Sequence, residues 1–142
     1  MEMTAEPKPQ VTQRAHSYQS AGLDFEEVTF DIYALGPSGV WSTAADLASW
    51  GDIYRTEKLG GPDLQARRLE GAPETGIESS RYGAGIFIRN TNQLYANGYF
   101  DAFKSVFLVS SDRQRSAAVL CNRAESKPDI LSDNLAYIWA FG

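Results

Sequence analysis

The 142-residue chain is short of several residue types, and each shortage removes a class of function. It has one histidine, His16, and one cysteine, Cys121, about a hundred residues apart, so neither a His/Cys metal-ligand cluster nor an internal disulfide can be assembled. No metal and no cofactor are implied. Thirteen Lys and Arg stand against eighteen Asp and Glu, a net charge of −5 with no basic cluster interleaved with aromatics, so nucleic acid is not an expected partner. No apolar run approaches the roughly 18 residues that span a bilayer, and Met1 to Pro9 lacks the apolar core of a signal peptide, so no membrane partner is expected and the compartment stays open. Cys121 ends the run Ala117-Ala-Val-Leu-Cys121 and reads as a small buried thiol.

The usual nucleophile devices are missing as well. His16, the one available imidazole base, sits in a polar N-terminal stretch and reads as an exposed edge residue. No Gly-x-Ser-x-Gly elbow exists, because Gly36-Pro-Ser-Gly39 has its second glycine one place early. A Ser-x-x-Lys pair is also absent: Ala5, Arg55, Asp101 and Ala124 stand three places before Lys8, Lys58, Lys104 and Lys127. Glu26 and Glu27 are adjacent, so on a strand they face opposite sides and cannot share a site. Gly83 and Gly85 read as part of a strand rather than a phosphate loop.

What is present supports a fold. At 43% hydrophobic and 22% charged residues the composition is that of a globular protein, and a chain of this length buries roughly 70% of its unfolded surface. Residues 1–13, with Pro7 and Pro9, read as a flexible lead-in, and 14–142 as a single α+β domain. Ala15 to Tyr18 and Phe25 to Phe30 flank a turn-rich centre, which predicts a loose hairpin. Thr43, three residues before Asp46, predicts a helix start, and the stripe Ala44, Leu47, Ala48, Gly51, Tyr54 continues that helix. Asp63 to Leu69 predicts one or two further turns.

From Arg81 the period changes to two. Tyr82, Ala84, Ile86 and Ile88 alternate with Gly83, Gly85 and Phe87, which predicts one strand whose glycine face admits a close neighbour. Asn90-Thr-Asn92 turns it into Gln93 to Asn97, and Lys104 to Ser110 with Ser116 to Asn122 predict a second hairpin buried on both faces. Ser126 is a candidate cap for a last helix carrying Pro128 and Asp129 in its first turn, with Leu131, Leu135, Ile138 and Trp139 packed across the sheet. The expected architecture is an antiparallel sheet of about four strands against a C-terminal helix, preceded by one or two helices and the loose hairpin. Gln93 to Ser105, ending a strand at Gly98 before the buried hairpin, is the candidate site, centred on Asn97-Gly98-Tyr99.

Several segments resemble, in order, those of the serine β-lactamase and D-Ala-D-Ala carboxypeptidase-like superfamily, class C type. Gly36-Pro-Ser-Gly-Val-Trp-Ser-Thr-Ala-Ala-Asp-Leu-Ala-Ser-Trp50 is similar to its Ser-Thr-Ala-x-Asp-Leu-Ala segment; Arg14-Ala-His-Ser-Tyr18, Tyr82-Gly-Ala-Gly-Ile86 and Ala118-Val-Leu-Cys-Asn122 resemble three others. The resemblance spans about 14–140 and implies a serine hydrolase of amide or ester bonds, acting on a small acyl substrate such as a peptide, β-lactam or ester. It also implies that the Ser-x-x-Lys and Tyr-x-Asn motifs lie upstream of this chain. Tyr95-Ala-Asn97 matches Tyr-x-Asn literally but falls on the strand of the third motif and reads as coincidence. That third motif, Lys-Thr-Gly or His-x-Gly, aligns with Ala96-Asn97-Gly98, so alanine replaces the basic residue.

By the same resemblance Ala96, Asn97, Gly98 and Tyr99 form the edge of a substrate cleft, with the Tyr99 N–H as oxyanion donor. The chain is then the C-terminal part of such a hydrolase, catalytically incomplete as given. The alternative is a binding or interaction domain on the same scaffold. Without the upstream strands a sheet edge is left exposed, which predicts a homodimer through that edge or a rearranged first hairpin covering it.

Overall fold

The computed structural model describes residues 2–3, 12–28 and 39–141. Most of the lead-in, and Gly36 to Ser38 of the first breaker, lie outside the described residues. The architecture is a five-stranded antiparallel sheet with helices on both faces and two small two-stranded sheets beside it.

A hairpin comes first: β2 (Ser17–Ala21) pairs antiparallel with β3 (Asp24–Val28) around Gly22-Leu23, after the short β1 (Glu2–Met3), which pairs with β4 (Val40–Trp41). The turn is two residues long, so Ser20, Ala21 and Asp24 belong to the strands and not to a loose centre. Thr43 caps α1 (Ala44–Trp50) as its spacing predicts, its hydroxyl accepting from the Asp46 N–H at 3.1 Å. The predicted single helix instead breaks at Gly51 into α1 and α2 (Asp52–Thr56). At the break Gly51 keeps helical backbone angles and lies against Ser116, whose hydroxyl donates to the Ala48 carbonyl at 2.7 Å, so a Cβ at 51 would overlap that side chain. α3 (Gly61–Leu69) follows, with Pro62 in its first turn.

The main sheet has the order β5-β6-β7-β8-β9. The stretch from Arg81 to Ile88 is not one strand but a hairpin, β5 (Arg81–Gly83) and β6 (Ile86–Ile88), turning at Ala84 and Gly85, where φ is 50° and 82°. A two-residue turn with positive φ matches the twist of the strands it joins, and glycine adopts that conformation without strain. Gly83 does admit a close neighbour, since a Cβ there would sit 2.8 Å from the Ala72 Cβ. β7 (Leu94–Phe100) and β8 (Phe103–Val109) then form a hairpin around Asp101-Ala102, and β9 (Ser116–Cys121) closes the sheet.

Strand alternation divides the residues between two cores. One face carries Ile86, Ile88, Leu94 and Val109, buried with Tyr54 and Ala72 beneath the α2 and α3 region. The other carries Val106 and Leu108, 1% and 0% exposed, on the side of α4 (Pro128–Phe141). β8 is well buried, but β9 is only half-buried along most of its length, and Cys121 is half-buried rather than buried. The helix α4 starts at Pro128, so Ser126 stands one residue outside the cap position. Its packing also differs from the pattern expected: Leu131 and Ile138 are 52% and 58% exposed, while Pro128 and Ser132 are the residues it buries. Because α4 is apolar nearly all round, its sequence does not single out the buried face. Among the described residues no helix is long and apolar enough to cross a membrane.

Candidate functional site

The four residues Ala96, Asn97, Gly98 and Tyr99 fall consecutively on β7. The hairpin register determines which way each presents its backbone. Phe100 opposite Phe103 closes the two-residue turn, so Phe100, Gly98 and Ala96 exchange backbone hydrogen bonds with β8, and Tyr99, Asn97 and Tyr95 turn theirs to the other side. There β6 covers only Leu94 and Tyr95, opposite Ile88 and Phe87. The N–H and C=O groups of Asn97 and Tyr99 therefore line an edge with no strand partner among the described residues. Gly98 lies close to its partner across the hairpin, and a Cβ there would sit 2.6 Å from the Ser105 hydroxyl, which would have to rotate away.

A depression of about 400 Å³ opens at the turn between β7 and β8. Tyr99 to Ala102 form one wall, and Gln19 and Val28 of the β2–β3 hairpin the other. The hairpin is held there by the Tyr18 N–H donating to the Asn122 carbonyl at 2.9 Å and the Ala124 N–H donating to the Tyr18 carbonyl at 3.0 Å. It thus extends the sheet only beyond the end of β9.

The side chains of Tyr95 and Tyr99 project together on the α4 face. Both phenols donate to one carboxylate, Asp129, in the first turn of α4; Tyr99 does so at 2.6 Å. Burial, then the Asp129 carboxylate, pushes the Tyr95 phenol well above its ordinary pKa, and the bond to Asp129, then burial, pushes Tyr99 up as well. Burial alone would raise Asp129, but the two hydroxyls that donate to it, with Arg89 nearby, hold its carboxyl below the usual range. Arg89 stacks 4.1 Å over the Tyr95 ring and pairs with Asp133 at 2.8 Å. Lys104, opposite Tyr99, donates to the Ser126 carbonyl at 3.1 Å. The strand that carries the candidate donor is therefore bolted to the start of α4.

Sequence reasoning gave Asp129 only a role at the helix terminus. The available signal was the i, i+4 pair of tyrosines, which a strand places on one face. Ala96 and Gly98 lie on the opposite face of β7, so the Ala96 side chain points away from this cluster. His16 is exposed, its Nδ1 2.6 Å from Glu27 Oε1, while Glu26 bonds Gln19, in keeping with the two glutamates facing opposite sides.

What the edge offers chemically is backbone: an outward N–H at Tyr99 and an outward N–H and C=O at Asn97, able to hold an acyl oxygen or pair with an extended backbone. The sequence model of the family described as Beta-lactamase matches residues 3–138. No curated protein matches the chain.

Proposed function

The chain belongs to the Beta-lactamase family, and from that premise we propose that it is the part of a β-lactamase-related serine hydrolase that supplies one wall of the acyl-transfer cleft and not the nucleophile. The observation that carries this reading is the outer edge of β7, where Asn97 and Tyr99 turn backbone groups away from β8 with no strand partner among the described residues. In this reading the Tyr99 N–H donates to the oxygen of a substrate carbonyl as charge builds on it, and Asn97 aligns the substrate alongside the strand. The substrate class is a small acyl compound, a peptide, β-lactam or ester.

Catalysis is incomplete within these 142 residues, because no serine stands three places before a lysine. Incubation of the chain with a chromogenic β-lactam or a nitrophenyl ester, followed by intact-mass measurement, is expected to leave every serine unmodified. A stable acyl adduct would overturn the incompleteness.

Ala96 favours a second reading, a binding or interaction domain on the same scaffold, since alanine supplies neither charge nor hydrogen bonds where the family has a basic residue. In that case supplying the Ser-x-x-Lys half of the fold in trans gives binding at β7 and no turnover, whereas restored hydrolysis supports the first reading.

A further inference from the structure

The direction of the Tyr99 N–H is set by two torsions, ψ of Gly98 and φ of Tyr99. Gly98 has no Cβ to limit the first, and glycine backbone explores the widest range of any residue. The β8 ladder holds the inner groups of Ala96, Gly98 and Phe100, and the last of these stands beside a turn in which Asp101 has a φ of 55°. A donor that follows a glycine and stands one residue from the end of its strand needs a second anchor.

The side chains supply it. The Tyr99 phenol donates to Asp129 Oδ2 at 2.6 Å, and the Tyr95 phenol donates to Oδ1 of the same carboxylate. Along a strand the two Cα atoms stand roughly 13 Å apart, so the rings lean toward each other to meet one acceptor and bracket Asn97 and Gly98 between two fixed points. Each ring is held again by a cation: Arg89 lies 4.1 Å over the Tyr95 ring, and the Lys104 ammonium lies 5.7 Å from the centre of the Tyr99 ring. Asp129 stands on fixed ground as well. Its carbonyl accepts from the hydroxyl of the buried Ser132 at 2.8 Å, and Lys104 ties the chain just before α4 back to β8 through the Ser126 carbonyl at 3.1 Å. All of these contacts join described residues, so they hold whatever else packs around the sheet.

The geometry points to Asp129 as the positioning residue of the β7 edge. It touches no ligand, and through the two phenols it fixes the segment from Tyr95 to Tyr99, so that the N–H groups of Asn97 and Tyr99 are set for an acyl oxygen before a ligand arrives. This role rests on the reading of β7 as the acyl-transfer wall, and it gives the aspartate a part in ligand binding beyond its part in stability. Donors fixed in advance bind more tightly, because no ordering is left to the binding step.

Backbone amide relaxation by NMR, followed by titration of the same folded samples with benzylpenicillin, tests the role. Tyr99→Phe keeps the ring and removes its tether, and Asp129→Ala removes both tethers; Tyr99→Phe alone carries the test if Asp129→Ala does not fold. Wild-type order parameters at Asn97, Gly98 and Tyr99 are expected at about 0.85, falling toward about 0.6 in the variants while β8 and β9 keep theirs. Penicillin binding is expected to weaken by about tenfold in each variant, and the double variant to lose little more. Thr43→Ala, a remote change at the α1 cap, leaves both readouts at wild-type values and so separates positioning from stability. Order parameters at 97–99 that the folded variants leave unchanged overturn the positioning role, and so do variants that bind penicillin as tightly as the wild type. A wild-type chain with no penicillin shifts at β7 counts against the acyl-wall reading, and the order parameters still decide the tether.

Discussion

Removing the Asp129 carboxylate tests whether α4 holds the candidate strand in place. Asp129→Ala deletes the acceptor of two phenolic hydrogen bonds and one charge at the positive end of α4. A hydrogen bond to a charged group contributes about 1.5–3 kcal/mol; the half-buried Tyr95 bond belongs within that range, and the exposed Tyr99 bond, screened by solvent, below it, at about 1 kcal/mol. The helix-terminus charge adds about 0.5 kcal/mol. The expected loss is therefore about 3–4.5 kcal/mol, or roughly 10–15 °C in Tm for a chain of this size.

The pH dependence follows from the same contacts. Asp129 has a depressed folded pKa, so its contribution is present above the unfolded carboxyl value of about 4 and is lost as pH falls through the lower folded value. The two phenols are raised, so their contribution is complete below about pH 10 and is lost as pH rises from there toward their folded values. Urea denaturation of wild type, Asp129→Ala, Tyr99→Phe and the double variant forms a cycle. Tyr99→Phe should cost about 1 kcal/mol in the wild type and near zero beside Asp129→Ala. Equal costs in both backgrounds, or an Asp129→Ala variant as stable as wild type between pH 5 and 9, would refute the clamp.

Other contacts make separate predictions. Arg113 donates from Nη1 to the carbonyls of Asn92 at 2.7 Å and Ser110 at 3.0 Å, tying the β6–β7 turn to the β8–β9 turn; Arg113→Ala should cost about 2 kcal/mol in urea melts and speed amide exchange in both turns together. At Gly51 helix propensity alone predicts that alanine stabilises by about 1 kcal/mol, but overlap with Ser116 predicts a loss of about 1–3 kcal/mol, and a thermal melt reads the sign. The companion change Ser116→Gly should recover part of that loss. Thr43→Ala should cost about 1 kcal/mol through loss of the bond to the Asp46 N–H, and Thr43→Ser should restore most of it.

The elements legible in the sequence are those whose signals are local. Thr43 with Asp46 marks the start of α1, and the apolar runs of Lys104 to Ser110 and Ser116 to Asn122 mark β8 and β9. The strand of the candidate edge was read to end at Gly98, whereas β7 continues through Gly98 to Phe100 and turns at Asp101-Ala102, so the outward direction of Asn97 and Tyr99 could not be read before the turn was placed. The misread elements depend on tertiary contacts. At the interruption between α1 and α2, Gly51 has no room for a side chain because Ser116, sixty-five residues away, occupies that space, a contact the helical stripe does not show. Ala84-Gly85 turns the chain although period-two alternation runs through it, and the positive φ that a two-residue turn needs is carried by a single glycine and an alanine. The buried face of α4 was not readable because its apolar residues surround the axis; contacts from Tyr95, Tyr99 and Arg89 to Asp129 and Asp133 orient it. The sequence contains both tyrosines and the aspartate, but the 30-residue separation between Tyr99 and Asp129 hides the cluster until the fold joins them.

In the proposed role Asn97 and Tyr99 present backbone donors, without a strand partner among the described residues, to an acyl ligand while their neighbours are committed to β8. Amide-resolved NMR of the chain, with hydrogen exchange followed by titration with a penicillin or a short acyl peptide, measures this directly. Fast exchange is expected at Asn97 and Tyr99, protection at Ala96 and Gly98, and ligand-induced shifts concentrated at Asn97 to Tyr99. Protection of the Tyr99 amide equal to that of Gly98, or ligand shifts confined to other strands, would contradict it.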